Sequence, residues 1–175
     1  MSQATSPKKG LAARGGAVNL EGKYMTFKLA EEEYGLEILK VREIIGLMDI
    51  TRVPRAPEYI SGVINLRGKV IPVVDLRTKF GMPKAAATDQ TVIIVVQYSL
   101  DSHDFTTGIL VDEVLEVLSV GQEQIEPPPS FGADSGTEFI LGVGKVDKRV
   151  IFLLDIGRIL ADAEVTAAAE AAQAL

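Results

Sequence analysis

Short β-prone runs separated by turn residues dominate the chain from Tyr24 onward. Tyr24-Met25-Thr26-Phe27-Lys28-Leu29 alternates in part, as a half-buried strand does, and Glu31-Glu32-Glu33 makes a charged turn into a returning strand over residues 34–38. Residues 41–48 continue apolar and β-branched. Pro54 and Pro57 then mark a loop or short helix, because proline lacks the N–H that a central strand needs. Strand character resumes at Gly62-Val63-Ile64-Asn65-Leu66. Arg67-Gly68 offers a tight turn, since glycine accepts positive φ, and residues 69–74 return as the second arm of a hairpin. Asp75 is placed to cap a short helix over residues 76–80, with Gly81 at its C-terminal end and Pro83 beyond. Val92-Ile93-Ile94-Val95-Val96 is apolar at consecutive positions, which suits a strand buried on both faces.

The second half repeats the first. At an offset of 80, Gly62-Val63 falls on Gly142-Val143, Val70-Ile71 on Val150-Ile151, Asp75 on Asp155, Leu76 on Ile156 and Phe80 on Leu160. At an offset of 73, Gly35 falls on Gly108, Val41 on Val114, Glu43 on Glu116, Ile44 on Val117 and Pro54 on Pro127. The difference between the offsets places extra residues in the second half, with 127–136 as the expected exposed insertion. Each half offers about five short strands and a terminal helix, as small closed barrels do. The expected fold is therefore all-β with short helices: two five-stranded barrel lobes related by a pseudo-two-fold axis. Lobe boundaries are expected near 22–83 and 88–162, with terminal elements able to cross between lobes. Residues 1–21, rich in Ser, Gly, Ala and Lys, are expected to be a disordered tail, and the Ala-rich residues 163–175 to fray.

Composition narrows the function. The net charge of −6 and the absence of Trp argue against a phosphate-tracking groove with stacking platforms. Apolar residues make up 47% of the chain, yet no run approaches the roughly 20 needed to span a bilayer. Lys8, Lys9 and Arg14 are not followed by an apolar run, so no secretory signal is read and a cytoplasmic address is expected. With no cysteine, disulfides, thiolate catalysis and Cys-containing zinc sites fall away. The single histidine, His103, lies in a polar turn and reads as a solvated loop residue. No Gly-x-Ser-x-Gly and no phosphate loop are present. Asp112, Glu113 and Glu116 offer only a weak hard-metal set without a Gly-turned ligand loop. Helix capping accounts for the paired Asp75 and Asp155. No catalytic residue, cofactor or metal is expected.

The run Gly62-Val63-Ile64-Asn65-Leu66-Arg67-Gly68-Lys69-Val70-Ile71-Pro72-Val73-Val74-Asp75-Leu76 closely resembles the signature of CheW-like domains. The likeness extends from about Tyr24 to Leu160, and includes Tyr34-Gly35, Ile38-Leu39-Lys40-Val41 and the segment around Val111-Asp112. It implies two SH3-like β-barrels and a non-enzymatic adaptor of signalling arrays. The chain is too short for kinase or phosphotransfer domains, which points to the stand-alone form. The resemblance implies three kinds of partner: the cytoplasmic hairpin tip of a chemoreceptor, the regulatory domain of the histidine kinase CheA, and other copies of the adaptor in array rings. By resemblance, a receptor groove between the barrels is lined by Met25, Ile38, Val41 and Val114, with Arg67 and Glu43 paired near it. An amphipathic helix would bury its apolar stripe in such a groove. Ile50, Thr51 and Gly62 are implied at the kinase interface, with Phe131 in the proline-rich loop as an array contact. A small-ligand-binding barrel is the alternative, though strand interiors rich in Val, Ile and Leu argue for filled cores.

Overall fold

The computed structural model describes residues 19–128 and 139–173. Strands form where the alternation and the β-branched runs lie: β1 (Gly22–Leu29), β2 (Glu32–Glu37), β3 (Val41–Gly46), β4 (Ile60–Leu66), β5 (Lys69–Asp75), β6 (Val92–Leu100), β7 (His103–Val111), β8 (Glu113–Val120), β9 (Ile125–Glu126), β10 (Ile140–Val146) and β11 (Arg149–Leu154). Three helices accompany them: α1 (Leu76–Lys79), α2 (Ile156–Ile159) and α3 (Ala163–Gln173). Lobe 1 is a five-stranded sheet in the order β3-β6-β7-β5-β4. Lobe 2 is a six-stranded sheet in the order β8-β1-β2-β11-β10-β9, one strand more than expected because the two-residue β9 is added at its edge. The lobes are SH3-like, as the family resemblance implies.

Repeat-equivalent elements meet the same fate. The β4–β5 and β10–β11 hairpins shift register at matching places, between Ile60 and Gly62 and between Ile140 and Gly142. The Asp75 N–H donates to the Tyr59 carbonyl at 2.7 Å, and the Asp155 N–H to the Phe139 carbonyl at 2.8 Å. Both aspartates then cap a helix, Asp75 accepting from the N–H groups of Arg77 and Thr78, and Asp155 from that of Arg158. At the β4–β5 turn Arg67 and Gly68 both hold positive φ, as a two-residue hairpin turn requires.

The sheets, however, do not divide the chain at residues 83–88. Hairpin β1–β2 belongs to the first repeat by sequence but lies in lobe 2, where β1 pairs with β8 and β2 runs parallel to β11. Hairpin β6–β7 belongs to the second repeat but lies in lobe 1, where β6 pairs with β3 and β7 runs parallel to β5. The repeats have exchanged their first hairpins. The physical reason is that these strands are apolar on both faces. On β6, Ile93 and Val95 join Ile64, Ile71 and Val73 inside lobe 1, while Ile94, Val96 and Tyr98 enter a larger core between the lobes. On β1, Tyr24 joins Val120, Ile151 and Leu153 inside lobe 2, while Met25, Phe27 and Leu29 enter the shared core. Each large aliphatic or aromatic side chain so buried contributes about 1.5–3 kcal/mol, so the exchanged hairpins stitch the lobes together.

Two expectations about the ends are corrected. Leu20, expected in the disordered tail, is held by its N–H to the Gln122 side chain at 3.0 Å and accepts from the Tyr24 hydroxyl. Residues 163–173 do not fray: they form α3, which buries Val165, Ala169 and Ala172 along one stripe. Asp162 caps this helix through the N–H groups of Glu164 and Val165, at 2.7 and 3.3 Å. Its other oxygen takes the Tyr59 hydroxyl and the Lys79 ammonium, each at 2.8 Å. Tertiary anchoring thus supplies what helix propensity alone does not.

Candidate protein-docking surfaces

Lobe 1 closes on itself at a seam between its edge strands, β3 and β4. In lobe 1 the chain leaving β3 returns beside β4, where Thr51 and Val63 exchange backbone hydrogen bonds of 2.9 and 2.8 Å. Arg67, in the β4–β5 turn, reaches across the same seam and donates to Glu43 on β3. The expected Arg67–Glu43 pair is therefore present. It is largely solvated, the Arg67 side chain being 69% exposed at the tip of its turn. In lobe 2, β9 pairs with β10, and Arg149 at the start of β11 donates to Glu116 on β8 at 2.7 Å. Arg149 also forks onto Glu33 of β2 at 3.0 and 2.7 Å, and its side chain is only 28% exposed.

The positions expected in the receptor groove separate on inspection. Ile38, Val41 and Val114 are half-buried and rest on the core between the lobes. Val41 stands opposite Val96 on β6, and Val114 opposite Phe27 on β1. Met25 is only 7% exposed and belongs to that core, so it supports the surface from beneath rather than lining it. An open cleft of about 640 Å³ lies where β1 and β2 of lobe 2 meet β6 and β7 of lobe 1, and Ile38 lines it together with Lys23, Leu39, Lys40 and Tyr98. Val41, Val114, Glu43 and Arg67 do not line this cleft; the two valines rest on the core between the lobes, and Glu43 and Arg67 stand on the lobe 1 seam.

Of the positions expected to meet the kinase, Ile50 and Thr51 are accessible to different degrees: Thr51 is exposed, and Ile50 half-covers the lobe 1 interior. Gly62 is buried beneath them. A Cβ at Gly62 would stand 2.2 Å from the Thr51 carbonyl oxygen and 2.8 Å from Ile50 Cγ2, and its φ of +145° disfavours any side chain. Its absent side chain lets Thr51 approach β4. Phe131 lies outside the described residues.

Several exposed apolar side chains were missed by the sequence reading. Leu39 is 94% exposed, and Ile44, Leu47 and Met48 continue a partly exposed apolar strip from β3 toward Ile50. Val117 on β8, the repeat partner of Ile44, is exposed as well. The signal was available: Ile44-Ile45 are adjacent on a strand, so one of them must face outward.

Of Asp112, Glu113 and Glu116, Asp112 is paired with Arg77 and Glu116 with Arg149. Among the described residues no cluster of three or more His, Asp or Glu side chains is placed to hold a metal ion. His103 Nδ1 sits 3.0 Å from the Asp101 carbonyl oxygen in an exposed turn. Among the described residues no helix is long and apolar enough to cross a membrane.

Comparison with known proteins agrees with this architecture. The family model described as the CheW-like domain matches residues 23–164. The chain is 40% identical over 142 residues to the chemotaxis protein CheW of Klebsiella aerogenes, covering 81% of this chain and 83% of that one. It is 28% identical over 166 residues to the protein FrzA of Myxococcus xanthus, covering 94% and 99%. The crystal structure of the scaffolding protein TtCheW from Thermoanaerobacter tengcongensis superposes with a TM-score of 0.71 at 36% identity, covering 83% of this chain and 96% of that one. The chain belongs to the CheW-like family of chemotaxis coupling proteins, which are scaffolds and not enzymes.

Proposed function

We propose that this chain couples a chemoreceptor to the histidine kinase CheA in cytoplasmic, membrane-associated arrays, using two different faces. The receptor's hairpin tip docks where the lobes meet, against Ile38, Val41 and Val114, with Glu43 and Arg67 flanking the site. The kinase's regulatory domain packs on the Ile50–Thr51 edge of lobe 1, and Phe131 supplies a second contact that closes adaptor and kinase into rings. The observation that carries this reading is the pair of half-buried valines at repeat-equivalent positions, Val41 and Val114, each resting on the core shared by both lobes. A partner helix laid across them would contact both lobes at once and bury its apolar stripe. The alternative, a ligand held inside a barrel, is opposed by the filled interiors: Ile64, Ile71, Val73, Ile93 and Val95 in lobe 1, and Tyr24, Val120, Ile151 and Leu153 in lobe 2.

Calorimetric titration of the full chain with a receptor hairpin fragment and, separately, with the CheA regulatory domain tests the proposal. Both bind, and saturation with one leaves a site for the other. Mutual exclusion of the two partners, or binding of neither, contradicts it.

A further inference from the structure

The two places where the strand sequence passes from one sheet to the other are built differently. β2 leads into β3 through the 3-10 turn Ile38–Lys40, where the Leu39 side chain is almost wholly exposed. β7 leads into β8 through Asp112, which occupies the repeat position of Leu39 at the offset of 73. Asp112 is held from three sides. Arg77 of α1 donates from Nε to both carboxylate oxygens at 2.9 and 3.1 Å, and from Nη2 to Oδ2 at 2.9 Å. The Ala30 N–H, in the β1–β2 turn, donates to Oδ2 at 2.8 Å, and the Asp112 N–H donates to the Lys28 carbonyl at 3.2 Å. Ala30 holds a φ of +56°, an uncommon left-handed conformation for alanine, in order to sit there. Arg77 is itself anchored, its N–H on Asp75 Oδ1 at 3.0 Å and its Nη1 on the Pro83 carbonyl at 3.1 Å. Burial would raise the Asp112 carboxyl, but Arg77 and the Ala30 N–H outweigh it and hold the group below the usual carboxylate range.

Immediately beyond this clasp β8 begins, pairing Glu113 with Lys28 and Val114 with Phe27 before its register shifts. β8 is an edge strand, with β1 as its single sheet neighbour. Edge strands open more readily than central ones, so what fixes their ends decides how well their side chains are placed. We propose that Asp112 and Arg77 are positioning residues: their clasp pins the start of β8 to α1 and to the β1–β2 turn, and so holds Val114 in place as one wall of the receptor groove. This role rests on the receptor groove proposed above.

The test compares wild type with Asp112→Ala, Asp112→Asn and Arg77→Lys, reading amide hydrogen exchange strand by strand and affinity for a receptor hairpin fragment and for the CheA regulatory domain. Asp112→Asn keeps an acceptor for the Ala30 N–H without the charge, and Arg77→Lys keeps the charge without the fork. In Asp112→Ala, β8 amides exchange about tenfold faster relative to those of β6, and receptor affinity falls by about the same factor. Kinase-domain affinity stays within about twofold, because its face lies on lobe 1. The two conservative variants fall in between on both readouts together. Unchanged β8 exchange in all three variants overturns the proposal, and so does faster β8 exchange with wild-type receptor affinity. If the wild-type chain binds no receptor fragment, the groove reading itself has failed, and the exchange data alone decide whether the clasp orders β8.

Discussion

Arg67 and Glu43 join the two edges of lobe 1, whereas the repeat partner of Glu43, Glu116 on the edge strand β8 of lobe 2, accepts from Arg149 of the inner strand β11. The two arginines come from different turn positions and differ in exposure, Arg149 being committed to a second glutamate while Arg67 stands in solvent. Both lobes thus carry an arginine–glutamate bond onto an outer strand, and Arg67 is the more exposed of the two arginines.

Charge reversal separates closure from docking. Glu43→Lys and Arg67→Glu each lower receptor-fragment affinity about tenfold, while the exchanged double variant recovers to within about threefold, as coupled neighbours do. Thermal midpoints of all three stay close to wild type, because an exposed pair contributes little to stability. Titration with the receptor fragment and a melting curve check both parts. A double variant no better than either single one contradicts a role for the pair as a unit.

Gly62→Ala destabilises the fold by about 2–4 kcal/mol, since the new Cβ meets a backbone oxygen and the backbone holds a positive φ. Denaturant unfolding measures this. Kinase-domain affinity also falls, because Thr51 can no longer sit against β4.

Replacing Met48 or Leu47 by Asp weakens kinase-domain binding about tenfold or more without a change in melting temperature. Both side chains are partly exposed, and a charge there would be desolvated only in the complex. Receptor-fragment binding serves as the control and remains unchanged.

Docking of α3 depends on pH in a defined window. Burial acts to raise the Asp162 carboxyl, but hydrogen bonds from Lys79, Tyr59 and the Glu164 N–H bring it down to about 2. A carboxylate depressed in the folded state stabilises fully above its unfolded value and loses that contribution as pH falls through the folded one. Helical circular dichroism therefore declines between about pH 4 and pH 2 in wild type, and Asp162→Ala shows the loss already at pH 7. Protection of α3 amides in that variant equal to wild type would contradict the clasp.

Much of this was legible in the sequence because it depends on local chemistry. Asp75 and Asp155 announced helix caps, Arg67-Gly68 a two-residue turn, and Val92-Ile93-Ile94-Val95-Val96 a strand buried on both faces. The Glu43–Arg67 pair followed from the family resemblance. Crossing of terminal elements between lobes was expected, but which hairpins exchange was not legible: the repeat shows that β1–β2 and β6–β7 are equivalent, and equivalent hairpins fit either sheet equally well by pattern. Met25 was misplaced for a related reason, since alternation states which residues share a face but not which of two cores that face meets. Gly62 carried a motif whose meaning is a missing side chain, visible only once Thr51 is seen against it. The Ala stripe of α3 lacks the bulk that marks a buried helix in sequence, and its anchor, Asp162, acts through Lys79 and Tyr59, both about 80–100 residues away.

The coupling role is tested most directly by sedimenting CheA with receptor-containing vesicles in the presence and absence of this chain. CheA enters the pellet only when the wild-type chain is added. The Met48→Asp variant itself sediments with the receptor but leaves CheA in the supernatant. Equal CheA in the pellet with and without the chain, or a chain that remains in the supernatant with both partners present, would contradict the account.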